Sequence, residues 1–246
     1  MRKRLLSFVL TVLMIVSILP ATALAADVVA SGTCGAEGDG SNLTWTVDSD
    51  GTLTISGKGE MNSYRQDNIP WKDARVTRVV IQEGVTTIGN YAFSGCAGLT
   101  EITIPEGVTT IGDNAFAGRS GPSGDVNMNL TSVTLPNTLK SIGDNAFSGC
   151  TKLESIVIPD SVTHIGLGAF FGCKSLKSVA IPSGITIISG WTFFRCSSLA
   201  SVTIPKGVTS IGEKAFSFCT GLTEITIPEG VTTIGDNAFG GIADMG

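Results

Sequence analysis

The stretch LTEITIPEGVTTIGDNAF occupies residues 99–116 and recurs letter for letter at residues 222–239. Variants of it give seven copies in all, which begin at Val76, Leu99, Leu130, Leu153, Leu176, Leu199 and Leu222. Successive copies start 23 residues apart, except that the second copy is 31 residues long because of an insertion within residues 119–129. A fixed period of this length is typical of a solenoid, in which each short coil stacks on the one before it.

The pattern within one copy predicts β-structure. Places 4 and 6 are apolar and the place between them points outward, as in Ile102, Thr103 and Ile104, and this alternation is typical of a strand. Proline follows at place 7 in six copies and closes the strand, because it has no backbone N–H to donate. Val-Thr-Thr-Ile then forms a second extended run, glycine at place 14 ends it, and Asp-Asn-Ala-Phe predicts a short capped helical turn. We therefore expect a mainly β fold with short helical turns and one continuous core.

The N-terminal residues 1–25 are predicted to be a secretory signal peptide. A basic head precedes an apolar run at residues 5–19, and Ala23-Leu24-Ala25 provides a small-residue cleavage site after Ala25. The run is shorter than the ~20 residues that a spanning helix needs, which favours cleavage over an uncleaved anchor. We expect the chain to be secreted or at the cell surface, with no membrane insertion after cleavage.

Residues 26–75 lack the 23-residue period and are predicted to cap the solenoid, which then occupies residues 76–246. Apolar residues alternate over residues 43–47 and again over residues 53–55, so that the turn residues 48–51 between them predict a β-hairpin. Asp48, Asp50 and Gly51 could also begin a calcium loop, but the closing glutamate at the twelfth place is missing. Residues 57–71 are predicted to form an ordered loop packed by Met61, Tyr64 and Trp71.

Five of the six cysteines fall at place 21 of their copies: Cys96, Cys150, Cys173, Cys196 and Cys219. An even number of cysteines in a secreted chain would ordinarily indicate disulfides. Parallel Cβ atoms on neighbouring coils are ~4.8 Å apart, however, which exceeds the ~3.8 Å of a cystine, so a column of reduced thiols is favoured over bridges. Cys34 has no evident partner, and a 23-residue spacing supplies no zinc motif.

No catalytic residue, metal site or cofactor is expected. His164, the sole histidine, stands at place 12 on an exposed strand position, and Ser123 lies in a segment that lacks the second glycine of a nucleophile elbow. The net charge of −5 excludes nucleic acid and anionic membranes as partners.

Two surfaces are candidates for binding a partner. The first is the outward column at places 3 and 5, although small hydroxyl and β-branched side chains also simply suit solvent-facing strands. Its members are Glu101, Thr103, Ser132, Thr134, Ser155, Val157, Ser178, Ala180, Ser201, Thr203, Glu224 and Thr226. The second is a group of aromatic residues on the turn side of copies four to six, which either forms an adhesive patch or widens the core. These residues are Phe171, Trp191, Phe194 and Phe218. The insertion at residues 119–129 is a further candidate contact loop.

The consensus of the copies, LxxIxIPxxVxxIGxxAFxxC, resembles the BspA-like leucine-rich repeats, also called the Treponema pallidum type. The resemblance covers all seven copies, with departures at Gln82, Arg119 and Ile242. It implies a leucine-rich-repeat solenoid of seven ~23-residue coils with an N-terminal β-hairpin cap. It also implies a secreted or surface binding protein, since some members are adhesins for extracellular-matrix proteins.

We therefore expect a non-catalytic, adhesin-like protein that binds an extracellular protein or glycan. The alternative is a structural spacer or self-associating scaffold that is part of a larger surface protein. The seventh copy runs to Gly246 without a distinct cap, and end-to-end self-association through this coil belongs to that alternative.

Overall fold

The structure is a computed structural model that describes residues 26–118 and 128–242. The predicted signal peptide, Ser123 and most of the predicted insertion lie outside the described residues. Within the described parts of the chain, no helix is long and apolar enough to cross a membrane.

Strands from successive coils form two rows along a solenoid of seven coils. The cap contributes β1 (Val28–Thr33), β2 (Leu43–Asp48), β3 (Thr52–Gly57) and β4 (Gly59–Glu60). The first row, at places 3 to 5, contains β5 (Arg78–Ile81), β7 (Glu101–Thr103), β9 (Ser132–Thr134), β12 (Ser178–Ala180) and β14 (Ser201–Thr203). The second row contains β6 (Val85–Ile88), β8 (Thr110–Ile111), β10 (Ser141–Ile142), β11 (His164–Ile165), β13 (Ile187–Ile188), β15 (Ser210–Ile211) and β16 (Thr233–Ile234).

Neighbouring coils pair in parallel and in register, as the sequence period predicts. In the second row the pairing runs through β4, β6, β8, β10 and β11, and again through β13, β15 and β16. In the first row β7 pairs with β9 and β12 pairs with β14. The fourth and seventh coils form no regular strand at residues 155–157 and 224–226, so the first row is divided into short paired segments.

One continuous core runs along the solenoid and includes Ile102, Val133 and Ile156. Its axis is a column of phenylalanine rings, one from each coil, with neighbouring ring centroids 5.2 to 5.5 Å apart. These residues are Phe93, Phe116, Phe147, Phe170, Phe193, Phe216 and Phe239. Trp71 of the cap stacks on the first ring at 5.9 Å, so the cap shares this core.

The predicted helical turn takes the form of consecutive hydrogen-bonded turns, and the described residues contain no helix. The backbone N–H groups of Asn114 and Phe116 donate to Asp144 and Ala146 of the next coil, each at 2.8 Å. Because alternate donors serve the neighbouring coil, they are not available for the i to i−4 bonds of a helix. The phenylalanine is nevertheless driven into the core, as predicted.

Two places in each turn require the left-handed backbone conformation. At place 16 φ lies between 52° and 61° in all seven coils: Tyr91, Asn114, Asn145, Gly168, Trp191, Lys214 and Asn237. At place 20 φ lies between 59° and 74° in six coils: Gly95, Gly149, Gly172, Arg195, Phe218 and Gly241. Asparagine and glycine adopt this conformation readily, which explains their recurrence at these places.

The N-terminal segment forms the predicted hairpin. Strands β2 and β3 are antiparallel, and the Asp48 carboxylate accepts hydrogen bonds from the backbone N–H groups of Asp50 and Thr52 within the turn. Strand β1 extends the hairpin, while β3 pairs in parallel with β5 and β4 pairs in parallel with β6. The cap is therefore joined to both strand rows of the first coil.

Candidate binding surfaces

The predicted outward column is exposed along its whole length. All twelve residues at places 3 and 5 are solvent-exposed, and Val157 reaches 82% exposure. We refer to these twelve residues as the strand face. Because the strands pair in register, Glu101 lies beside Ser132 and Thr103 lies beside Thr134. A second such group brings Ser178 beside Ser201 and Ala180 beside Thr203.

A shallow depression of about 370 Å³ occupies the N-terminal end of the strand face. Glu101, Thr103, Ser132 and Thr134 line it together with Arg78 of β5. Arg78 lies outside the predicted column, which starts at the second copy, but it occupies place 3 of the first copy, and the repeat pattern alone could have identified it. The depression therefore contains one exposed cation, Arg78, and one exposed anion, Glu101, beside small hydroxyl side chains.

The cysteine column consists of thiols, as predicted. The thiols of Cys150, Cys173, Cys196 and Cys219 donate to the backbone carbonyl of a core phenylalanine in the preceding coil, at Sγ to O distances of 3.5, 3.3, 3.2 and 3.0 Å. Burial raises the pKa of Cys219 to about 12 and raises the other three pKa values well above the usual range. Since the thiolate is the reactive form, these groups are structural.

The remaining candidates that the structure describes, His164 and Cys34, lie in different parts of the solenoid, the fourth coil and the cap. His164 is exposed in β11, where it pairs with Ser141 of the preceding coil. Cys34 is buried in the cap, and burial raises its pKa to about 12. Within residues 26–118 and 128–242, no three His, Cys, Asp or Glu residues are grouped in a way that could hold a metal ion.

The four aromatic residues of the turn side form a cluster of their own, which we call the aromatic patch: Phe171, Trp191, Phe194 and Phe218. The Phe194 ring lies 5.0 Å from Phe171, 4.8 Å from Trp191 and 5.6 Å from Phe218, centroid to centroid. Phe194 is buried, but it is not part of the continuous core, and Phe218 is 47% exposed. Of the two predicted alternatives, these contacts favour a surface patch over a wider core.

Two cations lie on the aromatic patch. The Arg195 guanidinium carbon is 5.3 Å from the Phe194 ring centroid and 5.9 Å from that of Phe218. The Lys214 ammonium is 4.3 Å from the Trp191 ring centroid and 2.8 Å from a Glu213 carboxylate oxygen. Cations at these distances are attracted to the ring faces, so the charged groups are held in place.

Comparison with known proteins identifies relatives of the same architecture. The chain is similar to a crystal structure of a T. pallidum leucine-rich repeat protein, at 29% identity and a TM-score of 0.58, over 79% of this chain and 83% of that one. It is also similar to a leucine-rich cell surface protein of Faecalibacterium prausnitzii A2-165, at 31% identity and a TM-score of 0.52. That match covers 87% of this chain but only 52% of the other. The search of curated proteins gives no match.

The family comparison agrees with the repeat pattern and the fold. The BspA type leucine-rich repeat region matches residues 70–123 and 126–245, in six copies. This match covers more than half of the chain and spans all seven coils seen in the structure. The chain therefore belongs to the family of BspA-type leucine-rich repeat proteins.

Proposed function

We propose that this protein acts at the cell surface or outside the cell as an adhesin-like, non-catalytic binding protein, and that its strand face contacts an extracellular protein or glycan. The observation that supports this proposal best is the strand face itself. Mostly small side chains are repeated there from coil to coil, and the strands beneath them pair in two segments, so a partner can approach closely over neighbouring coils. The depression beside Arg78 and Glu101 adds charged groups that can orient the partner.

The location outside the cell is supported by the predicted signal peptide and by the similar F. prausnitzii protein, which is described as a cell surface protein. The absence of catalysis is supported by the buried, structural thiols and by the isolated position of His164. The net charge of −5 supports a partner that is neither nucleic acid nor an anionic membrane surface.

The test is a binding screen of the purified chain against immobilised matrix proteins and host glycans. We expect saturable binding to one of them. The variant Thr103→Arg/Thr134→Arg places two large charged side chains on neighbouring strands of the face, and we expect it to weaken binding at least about tenfold. The matched control His164→Arg/Ile187→Arg alters exposed places on the second strand row and should bind normally. Equal binding by both variants, or no saturable binding at all, would contradict the proposal.

A second candidate function is that of a self-associating scaffold, which the last coil supports. Ile234 is 53% exposed, whereas Ile211, at the same place one coil earlier, is fully buried. Strand β16 pairs only with β15 in the described part of the chain, so its outer edge offers unpaired backbone groups. An apolar surface beside an open strand edge is suited to stacking against a second copy.

A further inference from the structure

The fifth and sixth coils carry bulky residues at the two left-handed places of the repeat. Where most other coils have asparagine or glycine at place 16, these two carry Trp191 and Lys214. Where other coils have glycine at place 20, they carry Arg195 and Phe218. All four residues keep the left-handed backbone conformation, which is unfavourable for bulky side chains. Strain of this kind persists only where the surrounding structure holds it in place, and such residues are concentrated at functional sites.

The four strained residues are brought together in the aromatic patch. Trp191 lies under the Lys214 ammonium, and the Arg195 guanidinium lies across Phe194 and Phe218. Leu167, which is 48% exposed, extends over Gly190 next to Trp191 and continues the apolar surface. The patch therefore places a tryptophan and an arginine, two of the residue types that dominate binding energy at protein interfaces, beside exposed apolar groups.

The charge of Arg195 is not neutralised within the described part of the chain. The two ion pairs in that part of the chain join Lys177 to Glu154 and Lys214 to Glu213. There, the Arg195 guanidinium contacts the rings of Phe194 and Phe218. A guanidinium group presents a planar fork of N–H donors that matches the two oxygens of a carboxylate. Its exposed position in an acidic protein leaves that fork available to an anionic partner.

We propose that the aromatic patch docks a protein segment in which an acidic side chain stands beside apolar ones. The carboxylate binds the Arg195 fork, and the apolar side chains pack on Phe218 and Leu167. A glycan is disfavoured because sugars stack on open, flat ring faces, whereas the Lys214 ammonium covers a face of Trp191 and the Phe194 ring is buried. This surface is separate from the strand face, and the proposal does not depend on the function assigned to that face.

The test begins with a random peptide library displayed on phage and selected on the immobilised full chain. We expect enriched peptides to place Asp or Glu next to Phe, Leu or Ile. A synthetic copy of the most enriched peptide then serves as the probe in fluorescence anisotropy. Arg195→Gly and Phe218→Gly should each weaken its binding about tenfold or more, because each removes a central interface side chain.

These variants restore the residue that the repeat prefers at place 20 and relieve the backbone strain, so we expect them to fold normally. The double variant Arg195→Gly/Phe218→Gly should unfold at the same temperature as the wild-type chain or at a higher one. Arg195→Lys keeps the charge but loses the fork, and binding should be intermediate. Thr103→Arg/Thr134→Arg on the strand face should bind the peptide normally, which separates this proposal from the function of that face.

Several results would overturn the proposal. One is equal enrichment of the same peptides on the double variant, and another is enrichment of peptides without an acidic residue. A marked fall in the unfolding temperature of the double variant would show that the residues are structural. Binding of sialylated or uronic-acid glycans that the double variant abolishes would assign the patch to a carbohydrate, and loss of a wild-type dimer in that variant would assign it to a second copy.

Discussion

The glycine at place 14, which six of the seven coils share and Ser189 replaces in the fifth, shows why a single residue can control stacking. The sequence pattern predicts that this glycine ends an extended run, where a turn would need its conformational freedom. Gly143, however, does not have a positive φ. A Cβ atom at Gly143 would lie 2.5 Å from Asp113 Oδ1 and 2.7 Å from the Asp113 backbone nitrogen of the preceding coil. The glycine is required because two backbones approach closely, and no sequence pattern distinguishes this reason from a turn.

We expect Gly143→Ala to lower the free energy of unfolding by about 1 to 3 kcal/mol, because the new methyl group overlaps backbone that cannot move aside. Urea denaturation followed by circular dichroism measures the change. The matched control is Gly184→Ala, whose added Cβ would first meet the Thr163 methyl group at 3.2 Å. If the two substitutions lowered the free energy of unfolding equally, the cost would come from lost backbone freedom and not from steric overlap with the preceding coil.

The buried thiols lead to a second prediction at this scale. Burial favours the neutral thiol and raises the pKa of Cys34 and Cys219 to about 12, so little thiolate is present at mildly alkaline pH. In the native chain we expect Cys34, Cys150, Cys173, Cys196 and Cys219 to resist iodoacetamide, and in denaturant we expect all of them to react. Mass spectrometry of labelled peptides measures this. Rapid native labelling of Cys173 would contradict the closed core.

At the scale of elements, the phenylalanine column joins one coil to the next. The Phe170 ring stacks between those of Phe147 and Phe193, 5.5 Å from each, and is fully buried. The Phe239 ring stacks on Phe216 and remains partly exposed. The same side chain therefore occupies a closed environment in one coil and an open one in the last.

We expect Phe170→Ala to cost about 3 to 5 kcal/mol of unfolding free energy, because it removes a fully buried ring from a stack. Phe239→Ala is the matched control and should cost clearly less, since part of that ring already faces solvent. Chemical denaturation of both variants gives the comparison. Equal costs would mean that the last coil is covered in solution.

The elements themselves were predictable from the sequence to different extents. Strand positions follow from the alternation of apolar residues, and the structure confirms them except at residues 155–157 and 224–226, where no regular strand forms. The inward phenylalanine follows from the predicted turn and is confirmed. The form of the turn does not follow, because its N–H groups donate to the next coil and only the stacked structure reveals those acceptors. For the same reason, nothing in the SIV segment at residues 155–157 indicates that its strand pairing is interrupted.

At the scale of the whole molecule, the candidate surfaces could be predicted only in part. The repeat period alone predicts the strand face. It does not predict the depression on that face or the cations on the aromatic patch. Arg78 joins the depression because β5 lies beside β7, and Arg195 joins the aromatic patch because its side chain turns across two rings. Such placements depend on contacts between coils that a linear pattern does not contain.

The exposed last coil gives a prediction at this scale. If the chain stacks through its apolar edge, sedimentation velocity will show an association that increases with protein concentration. Ile234→Lys places a charge on that edge and should keep the chain monomeric. Ile187→Lys is the matched control, because Ile187 is similarly exposed, at 57%, but lies within the array. A monomeric wild-type chain at all concentrations would exclude the scaffold function.

The parallel pairing of coils also determines how the molecule would respond to mechanical load. Within the described residues, the strand pairing between coils joins neighbouring coils, and its hydrogen bonds run along the solenoid axis. Tension applied at the two ends would therefore detach coils one after another instead of breaking the whole structure at once. Each detached coil of 23 residues would lengthen the tether by at most about 75 Å, and the second coil, with 31 residues, by at most about 105 Å, after subtraction of the rise of about 5 Å per stacked coil. If the protein links a cell to a surface, as proposed above, this link would lengthen in steps under shear flow.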